Sequence, residues 1–167
     1  KKIIVNLIEN ISQNWEELPV NYEDLEHLAL EVPRKPGIYQ ILTNVPKELF
    51  VQFGSRTDKK HYNLEKKIRE SDKLPEEFKI LQQGSNKYIV YTGHSYNLRQ
   101  RFKEHFKGSK GTGCLALFQI EKLRSFQWDF QFNELGKYDG YFDSKLQRTF
   151  LEQKYRAEIG WPILCSQ

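Results

Sequence analysis

Residues 88–106 read YIVYTGHSYNLRQRFKEHF. Their first part, 88–92, is β-branched and aromatic, the composition of a strand. Gly93 is expected to break that strand and Ser95 to cap the helix that follows. Within the helix Leu98, Phe102 and Phe106 recur every four residues and form one apolar stripe. Arg101 and His105 have the same spacing on a neighbouring row. The stretch therefore brings a tyrosine, a helix N-terminus and an Arg/His row to one region. Helix N-termini and guanidinium forks both suit phosphate. The plainer reading is a strand–turn–helix with a solvated basic edge.

Upstream, Gly37–Thr43 (GIYQILT) reads as a strand, entered by an extended approach through Pro33 and Pro36, with Gly37 giving the backbone freedom at its start. Tyr39 and Ile41 point to one face, and Ile38, Gln40 and Leu42 to the other. Earlier still, Ile4, Leu7, Ile8, Ile11, Trp15 and Leu18 predict an amphipathic helix over 2–18, ended by Pro19. A short helix over 22–30 follows, with its acidic residues in solvent. Between the two strands, 49–53 reads as a short strand after an NVPKE turn. Residues 56–83 are charged, interrupted by Pro75, and predict one or two short helices. This segment reads as part of an insertion over 45–87 and is itself either a solvated surface excursion or a DNA-contacting or specificity element, with lysines dense in 59–67.

Downstream, Gly108–Gly113 (GSKGTG) is a flexible loop whose Lys110 can approach phosphates. Residues 114–124 read as helix or turn. Phe126, Trp128, Phe130 and Phe132 alternate with polar residues, which predicts a half-buried strand over 125–133 with an apolar inner face. After a turn at 136–140, a long helix is expected over 141–159, with Phe142, Leu146, Phe150 and Ala157 inward. Gly160 and Pro162 are placed to end it.

The chain has 167 residues, a length suited to one domain with a real core. Its formal charge of +4 permits a polyanionic partner and weighs against a histone-like coating protein. Cys114 and Cys165 have no metal-ligand spacing, so a structural zinc site is not expected and reduced thiols in a cytoplasmic setting are. No apolar run reaches membrane-spanning length and no signal peptide is visible. With no methionine even at position 1, the sequence is expected to lack its first residues. A phosphate-binding glycine loop, a paired-histidine metal motif and a nucleophile elbow are all missing.

What remains is Gly37-Ile38-Tyr39 on one strand, Tyr91-Thr92-Gly93 on another, the Arg101/His105 row and a late helix carrying Glu152. In this order they resemble the GIY-YIG nuclease family. The first signature matches outright, and the second has threonine where isoleucine or valine is usual. Arg101 stands at the family's arginine and His105 at a histidine found in some members. LEQKYRAEIGWPIL resembles the segment with the metal-binding glutamate, here Glu152, followed by a proline-containing turn. Two positions depart from the pattern: His94 stands where lysine is frequent, and Cys165 about where asparagine is.

The resemblance implies an α+β fold, a small antiparallel sheet of about three core strands flanked by helices. It implies a single nuclease domain over 1–167, with an N-terminal helical extension at 1–32 and the insertion at 45–87. It implies a DNA endonuclease with Tyr39 as general base, Glu152 as ligand of one divalent cation (Mg2+, or Mn2+), and Arg101 on the phosphate. Tyr91 would orient water or bond a phosphate, and His105 would assist Tyr39 or bond the phosphate. His94, Lys110 and Arg148 are further candidates for phosphate contacts. At an ordinary pKa near 10, only about one tyrosine in 300 is phenolate at pH 7.5, so a nearby cation has to favour the charged form, with Arg101, His94 and the metal as candidates. The expected partner is double-stranded DNA, cut by a sequence-specific restriction-type enzyme, as a homodimer if the target is palindromic. A structure-specific repair or recombination nuclease and an inactive nucleic-acid-binding module are the alternatives.

Overall fold

The strand expected at Gly37–Thr43 is β2, an inner strand of a four-stranded antiparallel sheet. The computed structural model of the chain describes residues 2–80, 86–111 and 113–165, without the side chains of residues 2–6 and 8. Strand order is β1-β4-β2-β3, with β1 at Glu16–Val20, β3 at Tyr88–Ser95 and β4 at Trp128–Glu134. The class is α+β as expected, but the strands number four rather than about three.

The fourth strand comes out of the predicted N-terminal helix. Helix α1 spans Lys2–Gln13, and Glu16–Val20 then pairs with β4. Leu18 is buried from a strand and not from a helix, and Pro19 lies within that strand. Proline is tolerated there because β1 is an edge strand. The inward placement expected for Ile4 and Ile8, and the last residues of 56–83, fall outside the described residues. Helix α2, Leu25–Glu31, forms near its expected place. Its Glu26 is not simply solvated: it pairs with both Lys103 and Lys107.

Residues 49–53, expected as a strand, belong to helix α3 at Lys47–Phe53. Pro46 precedes its first turn, and only Phe50 is fully buried, edge-on to Trp128 at 6.2 Å. Helix α4, Leu64–Ser71, and a short 3-10 turn at Glu76–Phe78 supply the predicted short helices. The described part of segment 56–83 is not wholly a solvated excursion, because helix α4 and the chain just ahead of the segment reach the core. Phe50, Leu64 and Ile68 have no exposed surface and join the main core.

Strand β3 runs through Gly93 to Ser95 instead of stopping at the glycine. Asn97, not Ser95, caps helix α5 at Leu98–Lys107, accepting from the Gln100 N–H. The predicted stripe of Leu98, Phe102 and Phe106 is fully buried, with Phe102 edge-on to Phe130 and Phe106 edge-on to Trp128.

Strand β4 has the expected apolar inner face, but its other face is covered too. Asp129 and Asn133 are buried, and the Asn133 amide donates to the carbonyls of Ile11 and Asn14. The cover is α1 together with helix α6, Lys145–Ile159, which ends at Gly160 with φ +97°. The face of α6 is the reverse of the prediction. Phe142, Leu146 and Phe150 are 79%, 81% and 50% exposed and Ala157 is exposed, while Arg148, Leu151, Glu152, Tyr155 and Arg156 are buried. The reason is the surface it meets: that side of β2 and β3 presents Gln40, Thr92 and His94, and polar α6 side chains bond to them. No helix among the described residues is long and apolar enough to cross a membrane. Cys114 and Cys165 are buried free thiols.

Candidate active site

Strands β2 and β3 place Tyr39 directly opposite Gly93. A Cβ on residue 93 would run into the Tyr39 hydroxyl, so the glycine is what lets that hydroxyl lie across the edge strand. Tyr91 stacks beside it, with ring centroids 6.2 Å apart. Helix α5 approaches from the same side and delivers the Arg/His row. His105 Nε2 lies 2.8 Å from the Tyr39 oxygen, and Arg101 Nε–H donates to that oxygen at 3.2 Å.

The tautomer of His105 follows from its other nitrogen. The Leu115 N–H donates to Nδ1 at 3.3 Å, which leaves the proton on Nε2. Burial and the nearby Arg101 hold this imidazole well below its ordinary pKa, so it is neutral. His105 therefore donates to Tyr39 and does not accept its proton. The Leu115 and Ala116 carbonyls are gripped in turn by the Arg56 guanidinium, at 2.6 and 2.8 Å. Ala116 sits in the left-handed region at φ 47° under that grip. The Tyr39 oxygen thus has two fixed donors. Burial pushes its pKa above the ordinary value, with Arg101 pulling the other way.

Arg101 also bonds the Glu104 carboxylate at 2.8 Å and the Gly113 carbonyl at 2.9 Å. Its second terminal nitrogen makes no hydrogen bond among the described residues and is left for a ligand.

From the other face of the sheet, α6 brings Glu152 to the same cleft, which Tyr39, Tyr91, Gly93, Arg101, Arg148 and Glu152 all line. Arg156 pairs with Glu152 Oε1 while donating to Thr92 Oγ1 and to its carbonyl. Oε2 stays on the His94 side, 3.7 Å from Nε2. Burial raises the Glu152 carboxyl above its usual range, against the pull of Arg156 and Arg101. A buried carboxylate with one oxygen unclaimed by its arginine fits a hard cation that takes its other ligands from water and phosphate. Among the described residues no group of three His, Cys, Asp or Glu side chains stands ready to hold a metal alone.

His94 does not supply the positive charge considered for it. Burial, then Arg148 and Lys145, push its pKa down to about 4, so the ring is neutral near pH 7. The Thr149 hydroxyl donates to the Lys145 carbonyl, so its oxygen accepts from His94 Nε2–H at 3.0 Å. Cys165 packs against Thr92, whose N–H points to its sulfur at 3.3 Å. Arg148 pairs with Asp143 and leaves a buried Nε without a partner. Lys110 is exposed and outside the cleft. The sequence reading missed Tyr62, Glu104 and Lys145, which also line the cleft. Glu104, three residues after Arg101, was open to discovery from helix spacing; Tyr62 carried no local signal.

A model of the GIY-YIG catalytic domain family matches residues 37–127, more than half of the chain. Comparison with curated proteins and with solved structures gives no match. The matched span holds β2, β3 and α5, and with them Tyr39, Tyr91, Arg101 and His105; Glu152 lies beyond it. Both signatures face each other across one strand pair and the arginine helix packs over them, so the chain belongs to the GIY-YIG catalytic domain family, a family of endonucleases.

Proposed function

We propose that this chain is a metal-dependent endonuclease that hydrolyses phosphodiester bonds of double-stranded DNA, acting as a sequence-specific restriction enzyme of type II. The observation that carries the reading is the Tyr39 oxygen, held by His105 Nε2–H and Arg101 Nε–H on one side and facing the cleft on the other. Both donors stay in place when the oxygen becomes an anion, which is the preorganisation a phenolate base needs.

Tyr39 loses its own proton to the cleft and then takes one from the attacking water. His105, fixed as a donor by Leu115, stabilises the phenolate without competing for its proton. The free end of Arg101 meets the phosphate, and Tyr91 orients the water or bonds a phosphate oxygen. Glu152 would hold one divalent cation, Mg2+ or Mn2+, through Oε2. When bound, that cation supplies Lewis-acid stabilisation of charge on the phosphate and leaving oxygens. Arg148, which lines the cleft, adds a further phosphate contact.

The restriction reading is supported by segment 45–87. It places Tyr62 in the cleft wall and Arg56 under the residues that orient His105, so parts of the chain beyond the two signatures reach the site. Residues 1–167 are taken to work as one nuclease domain, and a palindromic target would be met by a two-fold dimer. Incubation with plasmid DNA and Mg2+ tests the proposal. Discrete fragments are expected; nicking or smearing points to a structure-specific or non-specific nuclease, and shifted but uncut DNA to a binding module.

A further inference from the structure

We propose that the Tyr62 hydroxyl is a further catalytic group, donating a hydrogen bond to the phosphate that Arg101 faces. The inference rests on the phosphodiesterase reading above and extends it to a residue of segment 45–87. Tyr62 lies in the wall of the cleft that holds Tyr39, Tyr91, Arg101 and Glu152. Its backbone is anchored there: the N–H donates to the Cys114 carbonyl at 2.8 Å, beside a parallel bridge between His61 and Cys114.

The ring is fixed as closely as the backbone. A Cβ on Gly113 would lie 2.7 Å from a ring carbon and 3.1 Å from the hydroxyl, so only glycine admits the ring at this place. The carbonyl of that same glycine accepts from Arg101 Nη1 at 2.9 Å. One residue therefore seats Tyr62 and Arg101 side by side. Lys67, itself only 8% exposed, holds its ammonium 4.4 Å from the centre of the Tyr62 ring. A desolvated cation over an aromatic face is a firm contact.

What this arrangement leaves unused is the hydroxyl. It has no hydrogen-bond partner among the described residues. The Tyr39 oxygen, by contrast, is engaged by two donors. A neutral donor held by backbone, ring contact and cation needs no reorganisation when a phosphate oxygen arrives, the condition under which one hydrogen bond contributes most to a transition state.

Tyr62→Phe removes the donor and keeps the ring under Lys67. Single-turnover cleavage of a duplex in Mg2+ should fall about tenfold to a hundredfold. Affinity for the same duplex in EDTA should weaken about threefold, because one phosphate contact is a small part of a charged interface. The melting temperature should stay unchanged. A Tyr62→Phe protein that cuts and binds as the wild type overturns the proposal, as does a rate loss that merely tracks a fall in melting temperature. If the wild-type protein cuts no DNA, the nuclease reading fails on its own. The EDTA arm then decides Tyr62: weakened binding supports the contact, and equal binding removes it.

Discussion

The Tyr39 hydroxyl is bound by groups that favour its anion and buried in surroundings that oppose it. His105 and Arg101 donate to its oxygen, while burial keeps the pKa above the ordinary value near 10. A base that must first lose a proton, with a raised pKa, is scarce at neutral pH and grows with alkalinity. Cleavage should therefore rise about tenfold per pH unit from pH 6 upward, with no plateau below about pH 9, measured as single-turnover rate. Tyr39→Phe should lower cleavage by about two to four orders of magnitude. It also strips an acceptor from two buried donors, so urea unfolding should show a loss of about 1–3 kcal/mol. Wild-type cleavage in this variant would move the base role to another group. Glu152→Gln removes the charge that would hold the cation. Arg156 keeps its two bonds to Thr92 and its place over Trp161, so stability should shift by only about 1–2 kcal/mol. Cleavage should vanish while DNA affinity in EDTA persists. A folded, DNA-binding Glu152→Gln protein cutting at the wild-type rate would sink the assignment.

At the scale of elements, α6 shows how the surface a helix meets selects its buried face. Two rows compete on it. Leu146 and Phe150, with Phe142 just ahead of the helix, form the more apolar row and lie in solvent. Arg148, Glu152 and Arg156 alternate with Leu151 and Tyr155 on the buried side, where Gln40, Thr92 and His94 of the sheet await them. Each buried polar atom costs free energy unless it is bonded; here the sheet bonds Tyr155 and Arg156, while Arg148 pairs with Asp143. Leu151→Ala should destabilise by about 2–5 kcal/mol. Phe142→Ser and Leu146→Ser should stay within about 0.5 kcal/mol of wild type. Denaturant titration of the three variants decides which face is inward, and the reverse ranking would refute this packing.

Across the whole molecule, segment 45–87 ties the sheet's core to the cleft. Phe50, Leu64 and Ile68 fill the main core, Arg56 grips the backbone that orients His105, and Tyr62 lines the cleft. Phe50→Ala should cost about 3–5 kcal/mol, the range for a buried aromatic removed from a packed core. The same variant should unfold in one cooperative transition by circular dichroism and by tryptophan fluorescence, since Trp128 packs on Phe50. Separate transitions for the two probes would show that the segment is peripheral after all.

The sequence by itself determined what depends on short-range pattern. Gly37–Thr43 reads as a strand because its residues suit a pleated, buried surface, and Leu98, Phe102 and Phe106 read as a stripe because helical period alone stacks them. The same period set Arg101 and His105 one turn apart, and five elements in the expected order carried the resemblance to the family. Tertiary structure decided whatever depends on what lies opposite. Residues 16–20 became an edge strand because β4 offers backbone partners there, and helix α3 formed where five residues alone suggested a strand. The donor role of His105 depends on an N–H ten residues away, and the neutrality of His94 on burial among arginines. Local pattern records a residue's preference, whereas charge state and buried face depend on neighbours that are distant in the chain.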